Sequence, residues 1–162
     1  MDLKALYREV ILDHYKKPRN AEELSAPTHE AKCKNPACGD RITLQLQVEN
    51  EQVSAVGMIG NGCAISQASA SMMTEAIKGA SLAQAQAVLR EFRRMIVDGA
   101  EDLDKEMLGD LITLQGIAKL HARVKCAMCG WSALEAALEQ QEEEVDLDQD
   151  QSMPASNRSG GM

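Results

Sequence analysis

The chain has few aromatic residues, no long apolar run and no excess of positive charge. Phe, Tyr and Trp make up 2% of its 162 residues, so the core must be built from aliphatic, alanine and methionine side chains. That composition favours close-packed helices over an all-β sandwich. No apolar run reaches the roughly 20 residues of a membrane-spanning helix, and charges interrupt the apolar N-terminal segment, as they do not in a signal peptide. We therefore predict a cytoplasmic protein that does not bind membranes.

Acidic residues outnumber basic residues. Lys and Arg total 17 against 25 for Asp and Glu, which gives a formal net charge of −8. Phosphate recognition needs the opposite balance, so nucleic-acid binding is disfavoured. Much of the acidic excess lies in residues 141–162, which show no apolar period. We predict that residues 1–140 form one domain and that residues 141–162 are an acidic, disordered tail.

Hydrophobic periodicity predicts an α+β fold. Residues 2–15 repeat apolar side chains every three or four positions, which indicates a helix with Asp2 as its N-cap. Residues 41–49 alternate apolar and polar side chains, and residues 53–59 indicate the return strand of a hairpin. With a third strand from the 28–36 loop, we predict a small antiparallel sheet of about three strands, covered on one face by helices. The further helices are expected over residues 64–78, 81–96, 104–109 and 123–141.

Five cysteines in a reducing compartment favour metal ligation or thiolate chemistry over disulfides. Three of them are predicted at element boundaries: Cys38 in a turn, Cys63 at a helix N-terminus, and Cys126 at the start of the last helix beside Arg123 and Lys125. A helix N-terminus or a neighbouring cation stabilises thiolate over thiol. Because structural cysteines more often lie mid-element on an apolar face, these three are the candidate functional set.

Asp40 follows Cys38 by two residues and completes a set of four metal ligands with the three thiols. Four is the tetrahedral number that zinc prefers. A carboxylate is a hard ligand among soft sulfurs, so it is the ligand most easily exchanged to leave a position open for chemistry. Alone, Asp40 would be better explained as a turn residue after Gly39.

Three motifs resemble the SufU branch of the IscU/NifU-like iron–sulfur cluster assembly family, over roughly residues 2–140. They are Asn35-Pro36-Ala37-Cys38-Gly39-Asp40, the segment from Gly62 to Ser71, and Arg123-Val124-Lys125-Cys126. Residues 99–121 resemble the insertion of the SufU type, and Lys125 stands where the IscU type usually has a histidine. The resemblance implies the family's fold and a PLP-dependent cysteine desulfurase as partner. It also implies a zinc site, with the ligands Cys38, Asp40, Cys63 and Cys126.

The function implied by this resemblance is that of a zinc-bound sulfur acceptor, a sulfurtransferase that takes persulfide sulfur from the desulfurase and activates it. We expect Cys38 to accept the sulfur, because it lies in a loop rather than at a helix start. Arg123 is a candidate for stabilising the anionic site, although an ordinary surface role explains it equally well. The missing histidine before Cys126 favours zinc and sulfur transfer.

The alternative within the family is a non-enzymatic scaffold. Cys38, Cys63 and Cys126 would then hold iron in a [2Fe–2S] cluster that passes to apo iron–sulfur proteins or other assembly factors. Cys129 favours this alternative, since a fourth thiolate would suit a cluster.

Cys33 and Cys129 are additional to the family pattern. Cys129 shares a helix face with Cys126, so it is either an extra ligand or a core residue. The pairs Cys33-x4-Cys38 and Cys126-x2-Cys129 also have the spacing of a structural four-cysteine zinc site, in a binding module without chemistry. That second alternative leaves the other candidate ligands unexplained.

The N-terminal helix offers a candidate partner surface. It carries Tyr7 and Tyr15 beside basic residues, and we predict that this face contacts the desulfurase. His14 continues the apolar stripe of the same helix and is expected to be a hydrogen-bonded packing residue rather than a ligand.

Overall fold

The computed structural model describes residues 2–148, which form a mixed sheet and a helical layer. None of the helices in this part of the chain has the length and apolar character needed to cross a membrane. The elements in chain order are α1 (Leu3–Lys16), β1 (His29–Asn35), β2 (Asp40–Glu49), β3 (Gln52–Asn61), α2 (Ala64–Ile77), α3 (Leu82–Ile96), α4 (Lys105–Leu108), a 3₁₀-helical segment (Gly109–Lys119), α5 (His121–Leu138) and β4 (Val145–Asp146).

The sheet has the strand order β3-β2-β1-β4. The first three strands are antiparallel, as predicted, and β1 is the strand expected from the 28–36 loop. Alternate residues of β1 and β2 are buried, among them Cys33, Ile42 and Leu44, because α5 packs across this face of the sheet. The predicted α+β class is therefore confirmed, with one strand more than expected.

The fourth strand lies within the predicted tail. Val145 and Asp146 pair parallel to β1, and the N–H of Leu147 donates to the Lys34 carbonyl at 3.1 Å. Leu147 is buried, so the predicted disorder does not hold here. Two apolar residues between acids form too short a pattern to reveal a strand, and the contact with β1 orders them. The disorder predicted for residues 149–162 lies outside the described residues.

Close contact between α2 and α5 forms the centre of the helical layer. A Cβ on Gly130 would lie 2.9 Å from the Cβ of Ala70, so the two helices approach more closely than larger side chains allow. Trp131 stacks on Phe92 at 4.3 Å between ring centroids, and its indole N–H donates to Ser69 Oγ at 3.0 Å. The small residues of α2 therefore serve packing, and they hold the N-terminus of α2 beside the β1–β2 turn.

Candidate metal centre

The β1–β2 turn places two of the predicted ligands at one end of the sheet. Asn35 and Asp40 are the last paired residues of these strands, and residues 36–39 connect them. Gly39 has φ +74°, a left-handed conformation that favours glycine, and the Cys38 N–H closes the turn on the Asn35 carbonyl at 3.2 Å. Cys38 is partly exposed whereas Asp40 is buried. The turn therefore presents the Cys38 thiol toward solvent above a buried carboxylate.

Three hydrogen bonds hold the Asp40 carboxylate in a fixed orientation. Its Oδ1 accepts from the Cys63 N–H at 2.9 Å and from Ser66 Oγ at 3.0 Å, and its Oδ2 accepts from Asn35 Nδ2 at 3.0 Å. A Cβ on Gly62 would overlap both Asp40 Oδ1 and Ser66 Oγ, so only glycine permits this approach. These contacts join separate elements, which explains Asp40 better than a turn bond within its own loop.

Cys63 is the N-cap of α2, as predicted. Its Sγ accepts a hydrogen bond from the Ser66 N–H at 3.5 Å and so satisfies one of the free N–H groups of the first helical turn. The side chain is partly exposed. Cys63 therefore lies at the positive end of the α2 helix dipole.

Cys126 does not lie at the start of the last helix, and that prediction is wrong. α5 begins at His121, its N-cap Leu120 provides no capping side chain, and Cys126 is fully buried in the second turn. Burial, followed by contact with Cys38 and the charge of Asp40, raises the pKa of the Cys126 thiol. The missing cap residue explains why the sequence pattern did not reveal the true start of the helix.

Three of the four predicted ligands come together. The donor atoms of Cys38, Asp40 and Cys126 all lie within 4.8 Å of one another. The Sγ atoms of Cys38 and Cys126 are 3.1 Å apart. Cys63 Sγ lies outside this group, but it is close enough to contribute to the raised pKa of Cys126. Two soft sulfurs and one oriented carboxylate are donors that zinc accepts, so the residues present fit that metal.

Arg123 faces the thiol cluster from the first turn of α5. The Cys126 thiol, followed by the Cys63 and Cys38 thiols, raises the pKa of its guanidinium. The neighbouring Lys125 is turned elsewhere, since its Nζ lies 3.6 Å from Asp148 Oδ1. Of the two cations that the sequence places beside Cys126, Arg123 is the one positioned to offset the negative charge of thiolates.

Cys33 and Cys129 form a separate buried pair. The Cys129 thiol donates to the Cys33 carbonyl at 3.5 Å, and contact with Cys33 together with burial raises the pKa of Cys129. Within residues 2–148 the metal-ligand group contains neither of them. This arrangement gives no support to a structural four-cysteine site built from Cys33, Cys38, Cys126 and Cys129, and it places Cys129 in the core.

The sequence alone does not identify two polar residues that hold the site together. Buried Asn35 donates through Nδ2 to Asp40 Oδ2 and to Cys126 Sγ, the latter at 3.6 Å. Ser66 donates to Asp40 Oδ1 from the first turn of α2. Both lie within the motifs that carry the family resemblance, but their roles depend on contacts across 91 and 26 residues, which spacing does not reveal.

Comparison with known proteins agrees with this geometry. Residues 6–146 match the family model described as the NifU-like N terminal domain. The chain is 44% identical to the zinc-dependent sulfurtransferase SufU of Bacillus subtilis over 87% of this chain and 95% of that protein. It is 38% identical to the iron–sulfur cluster assembly scaffold protein IscU of Streptococcus pyogenes, over 84% of each chain.

A solved structure shares the fold. The crystal structure of a protein from Fervidobacterium islandicum, described as an iron–sulfur cluster assembly scaffold protein for the SUF system, superposes with a TM-score of 0.75. The two are 31% identical, over 80% of this chain and 94% of the other. From the matched domain and these relatives we conclude that the chain belongs to the NifU-like N-terminal domain family of iron–sulfur cluster assembly proteins.

Proposed function

We propose that this chain is a zinc-dependent sulfurtransferase of iron–sulfur cluster assembly, which accepts persulfide sulfur from a PLP-dependent cysteine desulfurase and activates that enzyme. The observation that carries the proposal is the partly exposed Cys38 thiol, 3.1 Å from the buried Cys126 sulfur and grouped with the Asp40 carboxylate. A relative of 44% identity that is named a zinc-dependent sulfurtransferase supports the same conclusion.

The proposed zinc ligands are Cys38, Asp40, Cys63 and Cys126. When bound, zinc stabilises the thiolate form of its cysteine ligands and lowers the pKa of their thiols. Three thiolates and one carboxylate leave a net negative charge around a divalent cation, and the Arg123 guanidinium faces this charge. Asn35 and Ser66 keep the carboxylate in place, because each donates a hydrogen bond to one of its oxygens.

Cys38 is the proposed sulfur acceptor because it is partly exposed, unlike the buried Cys126, and lies in a turn, unlike Cys63, which caps α2. Its sulfur attacks the outer sulfur of the donor's persulfide, and a new S–S bond forms on Cys38 as the donor's S–S bond breaks. The electron pair of the broken bond leaves on the donor cysteine as a thiolate. The outer sulfur keeps its oxidation state, so the transfer needs no added oxidant or reductant.

A cluster scaffold is the second candidate function. The thiols of Cys38, Cys63 and Cys126 are also donors that could hold a [2Fe–2S] cluster, and the Streptococcus pyogenes relative is named a scaffold. In that case the site would carry iron and sulfide as cargo and pass them to apo iron–sulfur proteins or other assembly factors.

We place the protein in the cytoplasm, because transfer through free thiols needs a compartment that keeps cysteines reduced. All five cysteines are free. We also retain the N-terminal helix as a contact for the desulfurase. Tyr15 of α1 is 44% exposed, and Leu3, Leu6 and Leu12 of the same helix are exposed as well.

Metal content tests the site. We would measure it by mass spectrometry on anaerobically purified wild-type protein and on the variants Asp40→Ala and Cys129→Ala. We expect about one zinc per chain, labile in Asp40→Ala and unchanged in Cys129→Ala, since the Cys129 sulfur lies outside the ligand group. Zinc that is lost in Cys129→Ala and indifferent to Asp40→Ala would contradict the proposed ligands. Iron with acid-labile sulfide would favour the scaffold.

A further inference from the structure

Two bases oppose each other on the outer face of the sheet, next to the turn that carries Cys38. Lys34 on β1 and Arg41 on β2 are directly paired, and they are the last outward-facing pair before that turn. Like charges placed opposite each other destabilise a sheet. A third base, Lys125, directly precedes Cys126. We term these three residues the basic rim. They carry three positive charges in a chain whose net charge is −8.

The chain's own C-terminal acids neutralise the basic rim. Three ion pairs connect them: Glu144 Oε2 with Arg41 Nε at 3.4 Å, Asp146 Oδ2 with Lys34 Nζ at 3.8 Å, and Asp148 Oδ1 with Lys125 Nζ at 3.6 Å. Each carboxylate of residues 144–148 pairs with a different base of the rim. We term these five residues the acidic segment.

The acidic segment is held by apolar contacts that do not depend on its charges. Leu147 is 1% exposed, and Val145 packs against the core. The side chains that form the ion pairs are between 21% and 63% exposed. Exposed pairs of this kind are individually weak, so their carboxylates can be exchanged for others while the backbone of the segment stays in place.

We propose that the basic rim is the docking surface for an acidic patch of the sulfur-donating protein, and that the acidic segment occupies this rim until the donor's carboxylates replace its own. The proposal rests on the proposed function, which supplies the donor. A protein that brings a persulfide to Cys38 has to contact the β1–β2 turn, and Lys34 and Arg41 lie one residue beyond the paired ends of that turn. The intramolecular carboxylates therefore compete with the donor at high effective concentration.

Charge-neutral variants of the acidic segment test this competition. The test variant is Glu144→Gln/Asp146→Asn/Asp148→Asn, which keeps Val145 and Leu147. The control variant is Glu139→Gln/Glu142→Gln/Glu143→Gln, which removes the same charge from exposed acids that make no ion pair within the described part of the chain. Sulfur uptake would be measured with two donors, a cysteine desulfurase supplied with radiolabelled cysteine and the small molecule cysteine persulfide.

We expect the test variant to lower the KM for the desulfurase at least about threefold relative to wild type and control. The reason is that three weak intramolecular ion pairs no longer compete with the donor for the basic rim. The rate with cysteine persulfide should be the same in all three proteins, because a small donor does not use the rim. The KM difference should shrink in 1 M NaCl, where the screening length is about 3 Å.

Equal KM values for the test and control variants, or a higher KM for the test variant, would overturn the proposal. A second variant checks the rim directly: Lys34→Gln/Arg41→Gln should raise the KM for the desulfurase at unchanged zinc content, and an unchanged KM would also overturn it. If the wild-type protein takes up no sulfur from either donor, the proposed function itself is contradicted. The two failures are therefore distinguishable.

Discussion

At the scale of single residues, the proposed zinc site depends on polar groups that are not among its proposed ligands. Asn35 connects the Asp40 carboxylate to the Cys126 sulfur, and Ser66 connects the same carboxylate to the start of α2. Hydrogen bonds of this kind orient the ligands of a metal and raise its affinity. The site therefore depends on these hydrogen-bond donors as well as on the proposed ligands.

Replacing Asn35 with Ala should weaken zinc binding about 10- to 100-fold, because Asp40 Oδ2 and Cys126 Sγ each lose a donor. Competition with a chromogenic chelator measures the affinity. The matched control is Asn61→Ala, at an exposed position near the end of β3. An unchanged affinity in Asn35→Ala would show that the amide does not position the ligands.

At the scale of elements, the interface between α1 and α2 contains a buried histidine. His14 is 2% exposed, and its Nδ1 lies 2.8 Å from Ser71 Oγ, as expected for a packing residue. Burial is the main cause that lowers the pKa of His14, and Arg19 lowers it further. The carboxylates of Glu75, Asp110 and Asp13 face it and act in the opposite direction without reversing the shift.

The lowered pKa makes stability depend on pH. The unfolded chain binds a proton at His14 near pH 6.5, whereas the folded chain binds it only at lower pH. Stability is therefore complete above about pH 6.5 and declines as the pH falls through the folded pKa. We expect His14→Gln to reduce this decline, measured as the free energy of unfolding in urea between pH 7.5 and 5.5. His29→Gln, which replaces a partly exposed histidine of β1, is the control.

A His14→Gln variant that loses as much stability as wild type between these two pH values would contradict the assignment. The informative quantity is the change in the free energy of unfolding with pH, rather than its value at one pH. The substitution also changes packing, which lowers stability at every pH alike.

The elements differ in how far the sequence predicts them. The β1–β2 turn follows from Pro36, Gly39 and the alternation in β2, so the sequence places Cys38 and Asp40 at the turn where the structure has them. The sequence does not reveal the start of α5, because Leu120 provides no cap. It does not reveal β4 either, because two residues carry no period and the strand exists only through its pairing with β1.

At the scale of the whole molecule, three segments distant in sequence meet at one end of the sheet. The β1–β2 turn and the second turn of α5 supply the grouped donor atoms, and the N-terminus of α2 donates hydrogen bonds to the Asp40 carboxylate. The motifs singled out Cys38, Asp40 and Cys126, whose donor atoms meet, and also Cys63, whose sulfur lies outside that group. The resemblance implied all four as ligands. The role of Asn35, the burial of Cys126 and the ion pairs of the acidic segment depend on tertiary contacts, which periodicity and spacing do not encode.

The proposed function rests on Cys38 accepting sulfur at a zinc site. We would test it by one turnover with a cysteine desulfurase under anaerobic conditions, followed by alkylation and mass spectrometric mapping of all five cysteines. We expect a persulfide on Cys38 of the zinc-loaded protein and none in Cys38→Ala, whereas Cys129→Ala should be labelled like wild type. A persulfide on another cysteine of the wild-type protein, with Cys38 unlabelled, would contradict it.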